Sequence, residues 1–186
     1  MASSDSRSAF FYGTLMHPKI LTEVIQNKGS HLAVTPAVLL DHTRHAVKYA
    51  DYPGVIPVEK TKAQFERLHN LTRDEGSVRG TLVTGLTASD MKFLDEFEGD
   101  EYNKQVVEVH PLGDPEPIDL AIDDKSLIPA HPPPLPQPDE LRSGVPAEVY
   151  IYADATNLEA QLWSLEDFVR DKAKKWYSGP VESRWS

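Results

Sequence analysis

Apolar positions along this chain fall into short runs of two kinds, continuous or alternating blocks and stretches that repeat every three or four residues. Ala9-Phe10-Phe11-Tyr12 is a continuous apolar run closed by Gly13, which predicts a buried strand ending in a tight loop. Pro18 suits a first helical turn, and Ile20, Leu21, Val24 and Ile25 give that helix one apolar face until Lys28-Gly29 stops it. Leu32 to Leu40 and Ala46 to Ala50 predict two strands, Tyr52-Pro53-Gly54 a turn, and Val55-Ile56-Pro57-Val58 an extended edge. The charged stretch 60–75 predicts a short helix or loop. Val78 to Leu86 is rich in strand formers, and Thr87 or Ser89 caps a helix running to about Glu98. Tyr102 to Val109 alternates and predicts a half-buried strand, and Glu148 to Ala153 predicts another. Leu158, Leu162, Leu165, Val169, Ala173 and Trp176 step by three or four, which predicts a C-terminal helix over 158–176.

The remaining segments punctuate this pattern. The polar residues 1–8 predict a disordered lead. Residues 112–145 form a low-complexity insert whose stretch His131-Pro-Pro-Pro-Leu-Pro-Gln-Pro138 excludes helix and central strand. It predicts a mobile, partly polyproline segment outside the core, and Pro133 to Pro136 matches the minimal spacing of proline-rich ligands only weakly. At 186 residues the chain is expected to form one domain, over 9–178, with the insert inside it.

Charge and composition narrow the function. There are 19 Lys and Arg against 29 Asp and Glu, a formal net charge of −10, and no basic patch to override it, so nucleic acid is not an expected partner. No run approaches a membrane span, and the N-terminus lacks a signal-like apolar region, so a soluble cytoplasmic protein is expected. With no cysteine there are no disulfides, thiolate nucleophiles or cysteine-held metals. Phosphate-binding Gly-rich loops and nucleophile elbows are missing too. His42-x-x-His45 is the one pair spaced for a metal, and with no third ligand in view no metal is expected. What remains is acid–base chemistry by carboxylates.

Met91-Lys-Phe-Leu-Asp-Glu-Phe-Glu-Gly-Asp-Glu-Tyr102 holds the best candidate. At about 100° per residue, Met91, Phe93, Leu94 and Phe97 form one helical face and Glu98 falls about 65° from its centre. Asp95 and Glu96 fall about 125° or more away and are expected to face solvent. Burial, the nearby Asp95, Asp100 and Glu101, and the negative end of a helix that Gly99 terminates all push the Glu98 pKa upward. A carboxyl raised toward neutrality suits general acid–base work at pH 7, whereas the bland alternative is a solvated acidic helix end.

Phe11-Tyr12-Gly13-Thr14-Leu15 after a first strand, then Tyr52-Pro53-Gly54, then Leu94-Asp95-x-x-Glu98-Gly99 and Tyr102 together resemble the gamma-glutamylcyclotransferase-like superfamily. The branch most similar is that of the avirulence-induced-gene-like proteins of plants and fungi. The resemblance covers about residues 9–110, with Val149-Tyr150-Ile151-Tyr152 matching a later strand and Trp163 and Trp176 a typical C-terminal segment. It implies an α+β fold, a small barrel of mixed strands flanked by helices. It also implies cyclisation of a small-molecule γ-glutamyl substrate to 5-oxoproline, with release of an amine or amino acid and no cofactor. Glu98 would be the acid–base residue. Tyr12, Gly13, Thr14, Leu15, Met16 and His17 would form the loop that closes on the glutamyl group, and Tyr102 the tyrosine that follows the Glu motif. The loop's backbone N–H groups would hold either the oxyanion or the substrate carboxylate. Tyr102 would bond Glu98 or the substrate, or simply fill the core, and Tyr49, Tyr150 and Tyr152 are weaker candidates for the pocket wall. Lys104 stands where the family often has Arg, which bears on the leaving group, as do the insert and the segment 60–75. The rival readings are deglutamylation of a conjugated amine or secondary metabolite, and a non-catalytic binding module.

Overall fold

The structure is a computed structural model and describes residues 6–50, 52–118 and 134–163. In chain order the strands are β1 (Arg7–Phe11), β2 (Ala33–Leu40), β3 (His42–Val47), β4 (Pro53–Pro57), β5 (Ser77–Leu86), β6 (Tyr102–Pro111), β7 (Glu116–Pro117), β8 (Val145–Tyr152) and β9 (Leu158–Leu162). The α-helices are α1 (Pro18–Ile25), α2 (Val58–Gln64) and α3 (Ala88–Glu98). Pairing runs β5-β1-β8-β6-β2 and closes from β2 back to β5, so five strands form a barrel. The β1–β8 pair is parallel and the other pairs are antiparallel. A second sheet, β4-β3-β9, lies beside it. This is the α+β fold with a mixed barrel that the family resemblance implies.

The unbroken apolar run in β1 has a two-sided cause. Phe10 and Tyr12 join the core within the barrel, with Val78, Leu82, Val149 and Ile151. Ala9 and Phe11 face the other way, into a layer built with Ile20, Leu21 and Ile25 of α1 and Met91 and Leu94 of α3. A strand covered on both faces reads as apolar throughout rather than as alternating. The helix α3 is started by a capping box, with Thr87 Oγ1 accepting from Asp90 N at 3.0 Å and Asp90 Oδ2 accepting from Thr87 N at 3.0 Å.

Gly80 lies in β5 between β1 and β2, where a Cβ would stand 2.3 Å from the Phe11 carbonyl oxygen and 2.8 Å from the Phe10 ring. Both neighbours belong to the closed barrel and cannot swing aside. Gly80→Ala is expected to destabilise the fold by about 1–3 kcal/mol, the range for overpacking. Urea denaturation measures it, and an unchanged midpoint would show that the barrel yields more than its closure suggests.

Four local expectations need correction. Pro53 and Gly54, expected in a turn, begin the strand β4 because they pair with Ala46 and His45 of β3, and Val58, expected to be extended, opens α2. Leu158 does not begin a helix: Leu158–Leu162 is the strand β9, pairing Leu158 with Val47 and Leu162 with His45. Its burial alternates from Leu158 through Leu162, a period of two that the longer three-and-four spacing conceals. The rest of that predicted helix, from residue 164, lies outside the described residues. The strand expected at 46–50 runs instead from His42 to Val47, and Tyr49 sits in the following turn with φ of 62°. The N-terminal lead ends earlier than residue 8, because Arg7 pairs with Leu86 and its guanidinium bonds Glu148 at 2.7 Å.

The central part of the proline-rich insert, 119–133, also lies outside the described residues. Its flanks are anchored: Glu116 and Pro117 pair with β2, and Arg73 donates to the Pro136 carbonyl at 2.6 Å. Arg142 bonds the Gly113 carbonyl and Asp114. Among the described residues no helix is long and apolar enough to cross a membrane.

Candidate active site

A cavity of about 190 Å³ opens where the parallel strands β1 and β8 and the helix α3 all end. Tyr12 to Leu15 supply one wall; Phe97, Glu98, Glu101 and Tyr102 supply another. Tyr52, Pro53 and Tyr150 complete the ring, with Phe10 and Phe11 beneath it. Three motifs far apart in sequence thus meet in space. Gly13 makes the meeting close, since a Cβ there would stand 3.2 Å from Pro53 Cγ, tighter than ordinary packing.

Glu98 reaches the cavity through the register of α3. Leu94, one turn earlier, is fully buried, and the chain turns away at Gly99 with φ of 72°. Burial of the Glu98 carboxyl, reinforced by the charges of Asp95 and Glu101, pushes its pKa from an ordinary 4.5 up to about 8. The side chain is thereby poised to exchange a proton near neutrality.

The tyrosines around Glu98 share one feature. Tyr12 donates its hydroxyl proton to the Tyr150 carbonyl at 2.5 Å. Tyr102 donates to the Pro53 carbonyl at 2.9 Å, Tyr52 to Glu101 Oε2 at 2.9 Å, and Tyr150 to Asp95 Oδ1 at 2.8 Å. Burial first raises the pKa of each phenol, followed by nearby charges at Tyr12 and Tyr102 and by the hydrogen bond to a carboxylate at Tyr52 and Tyr150, with Tyr52 pushed up to about 12. All four therefore stay protonated and commit their single proton to the protein. Such hydroxyls have only lone pairs left to present, and the Tyr12 oxygen already takes a hydrogen bond from the Val55 backbone.

The residues named from sequence divide as follows. Tyr12, Gly13, Thr14, Leu15, Glu98 and Tyr102 line the cavity, and Met16 and His17 do not. Met16 is buried in the layer between the barrel and α1. His17 is buried and caps α1, its Nδ1 accepting from Lys19 N at 3.1 Å. Both hold the loop in place from behind. Tyr150 lines the wall, whereas Tyr152 packs beside Tyr102 with its hydroxyl on Glu101 and Tyr49 is fully exposed. Sequence reasoning missed Glu101, Tyr52 and Phe97 as wall residues. Tyr52 carried a signal, since it opens a motif read as a turn and as part of the family resemblance but not as part of the site; Glu101 is indistinguishable by type from its acidic neighbours.

Asp95 departs from the expectation of a bystander. It is exposed, yet it accepts from Tyr150 and from Lys104 Nζ, at 3.0 Å to each carboxylate oxygen. His42 and His45 do not converge. His42 Nδ1 bonds the Leu40 carbonyl, while His45 is buried between Thr43 and the Glu159 carbonyl. Among the described residues no group of three or more His, Asp or Glu is placed to hold a metal.

Comparison with known proteins places this geometry in a family. A family model described as gamma-glutamyl cyclotransferase, AIG2-like, matches residues 9–170. Curated relatives include the Arabidopsis thaliana protein AIG2 C, 26% identical over 120 residues (63% of this chain and 62% of that protein). AIG2-like protein C from the same plant is 30% identical over 100 residues (54% and 48%). The chain thus spans about half to two thirds of the length of the curated relatives it matches. Among solved structures, the solution structure of an Arabidopsis thaliana protein aligns with a TM-score of 0.56 at 20% identity, over 98% of this chain and 82% of that one. A yeast gamma-glutamyl cyclotransferase described as specific to glutathione aligns with a TM-score of 0.50 at 14% identity, over 80% and 69%, a likeness of fold. The match over most of its length shows that this chain belongs to the gamma-glutamyl cyclotransferase, AIG2-like, family.

Proposed function

We propose that the chain is a cyclotransferase acting on a γ-glutamyl compound, releasing 5-oxoproline and a free amine or amino acid, with Glu98 as general acid and base. The observation that carries this reading is a carboxyl raised to about 8 in a cavity whose four tyrosines commit their hydroxyl protons to the protein, which leaves acceptors on Tyr52, Tyr102 and Tyr150. A wall of lone pairs around a carboxylate suits a ligand's ammonium group, which has donors and no acceptor. A γ-glutamyl compound carries that ammonium on its α-carbon.

The chemistry is balanced within the substrate. The α-nitrogen attacks the δ-carbonyl carbon, a C–N bond forms, and the bond from that carbon to the leaving nitrogen breaks. Glu98 as carboxylate takes a proton from the α-ammonium and gives it to the departing nitrogen. The second proton, shed by the ring nitrogen as the lactam forms, passes by the same carboxyl to the released amine, which leaves as its ammonium, so the enzyme ends as it began. Holding the chain in its ring-forming conformer supplies a large effective molarity. The developing oxyanion needs donors, which the tyrosines, with their protons committed, do not supply. The backbone of the Gly13–Leu15 turn lies on the cavity and supports that role, because the first amides of a helical turn have no carbonyl partner within the turn.

The test is incubation with a library of γ-glutamyl peptides, amino acids and amines, with detection of 5-oxoproline. Formation from at least one class is expected. Binding without turnover of any member would favour the non-catalytic module, and release of glutamate in place of 5-oxoproline would favour deglutamylation by water. On a turned-over substrate, kcat is expected to rise roughly tenfold per pH unit up to about 8 and then to level, as Glu98 becomes a carboxylate. A flat profile across that range would remove Glu98 as the titrating group.

A further inference from the structure

Behind the Tyr150 side of the cavity lies a chain of charges that touches no part of the cavity surface. Asp95 sits one turn before Glu98 on α3, so the two carboxylates share a helix face. Asp95 Oδ1 accepts the Tyr150 hydroxyl at 2.8 Å, and Lys104 Nζ on β6 grips both Asp95 oxygens at 3.0 Å. Lys104 Nζ is also 3.7 Å from Glu148 on β8, which Arg7 of β1 binds at 2.7 Å. The second Glu148 oxygen is buried with no partner among the described residues. Two barrel strands, β6 and β8, therefore meet at one helical carboxylate, β1 joins them through Glu148, and that carboxylate holds a phenol of the cavity wall.

We propose that Asp95 and Lys104 are positioning residues of the active site: Asp95 draws the Tyr150 proton out of the cavity so that Tyr150 faces it as an acceptor, and Lys104 fixes Asp95 and offsets the charge it presents to Glu98. The kinetic consequence rests on the γ-glutamyl reading, whereas the electrostatic one does not. The groups facing Glu98 are Asp95 on its own helix, Glu101 in the following turn, Tyr12 of the loop after β1, Tyr102 of β6 and Tyr150 of β8. Two cations reach this set: Lys104 through Asp95, and Arg44 of β3 at Tyr12. Lys104 thus acts on Glu98 through Asp95 and stands away from the cavity lining.

The experiment reads the Glu98 carboxyl directly, by ¹³C NMR titration of the whole chain labelled at glutamate, with Glu98→Gln identifying the signal. Asp95→Asn keeps the shape and removes the repelling charge, so the Glu98 midpoint is expected to fall by about half to one pH unit. Lys104→Met removes the offsetting cation, so the midpoint is expected to rise. Shifts in opposite directions are the signature, because simple loosening of the structure would move both variants the same way. Equal, absent or same-sign shifts would overturn the proposal whether or not any substrate is turned over. On a turned-over substrate, Asp95→Ala, which removes the acceptor that Asn would keep, and Tyr150→Phe should each raise KM, and the double variant should be no worse than Tyr150→Phe alone. Additive losses would overturn the link between the two residues. Glu96→Gln, exposed on the same helix, is the control.

Discussion

Glu98→Gln is expected to lower 5-oxoproline formation by roughly 10²–10⁴-fold, the range that general acid–base catalysis contributes. Gln matches the shape of the carboxyl and can still accept a hydrogen bond, but it cannot take a proton from an ammonium near pH 7. Substrate affinity should persist, since the tyrosine acceptors and the Tyr12–Leu15 wall are untouched. The same change is expected to make the protein more stable at alkaline pH. The Glu98 pKa is raised from 4.5 to about 8 by folding, so its contribution is fully present below 4.5 and is lost as pH rises through about 8. Gln carries no such loss, so the gain of the variant over the natural chain should grow across that window. A melting curve at pH 6 and at pH 9 measures it, alongside the turnover assay. Glu96→Gln, which faces solvent, should change neither. Near-normal turnover of the Glu98 variant on a substrate turned over by the natural chain would remove Glu98 from the chemistry.

That Glu98 could be found from sequence follows from the regularity of a helix. Once Leu94 is core, the residue four positions later must lie near the same face, and Gly99 marks where the chain leaves it. The strands of the barrel were legible for a related reason: β5, β6 and β8 are rich in β-branched residues or alternate along their length. Legibility failed where a tertiary partner overrides the local pattern. The strand β9 has apolar residues at both a helical and a strand spacing, and its pairing with β3 decides between them. Asp95 was placed in solvent correctly as to exposure, yet its two partners come from β6 and β8, and no periodicity on α3 reports them. Met16 and His17 follow the loop in sequence and were read as part of it. The chain turns at the short helical segment Thr14–Met16, which sends both residues inward, behind the cavity wall.

Arg44 is the other residue that sequence could not flag, and Arg44→Met is expected to be among the most destabilising single changes in the chain. It lies in β3 and is 5% exposed, a degree of burial rare for arginine. Its Nε donates to the Trp163 carbonyl at 2.7 Å, and its Nη1 to the carbonyls of Tyr12 at 3.0 Å and Arg79 at 3.2 Å. The Trp163 amide returns a bond to the Arg44 carbonyl at 2.8 Å. One guanidinium thereby joins the residue after β1, the first part of β5 and the residue after β9, next to the Gly13 turn in sequence. Methionine fills much of the same space and removes every one of those donors. Each buried acceptor left without a partner costs about 1–3 kcal/mol, so a total loss of roughly 3 kcal/mol or more is expected. For a chain of this size that corresponds to a fall in Tm of about 6–12 °C. Arg44→Lys keeps the charge but not the planar fork, and should recover only part of the loss. Because the Tyr12 carbonyl is one of the three acceptors, Arg44→Met should also lower kcat at temperatures where the protein remains folded, as the turn that bears Gly13 loses its anchor. Thermal and urea denaturation give the first quantity and turnover at low temperature the second. A loss below about 1 kcal/mol would mean that water replaces the guanidinium at those carbonyls, and that the loop is held by its apolar contacts alone.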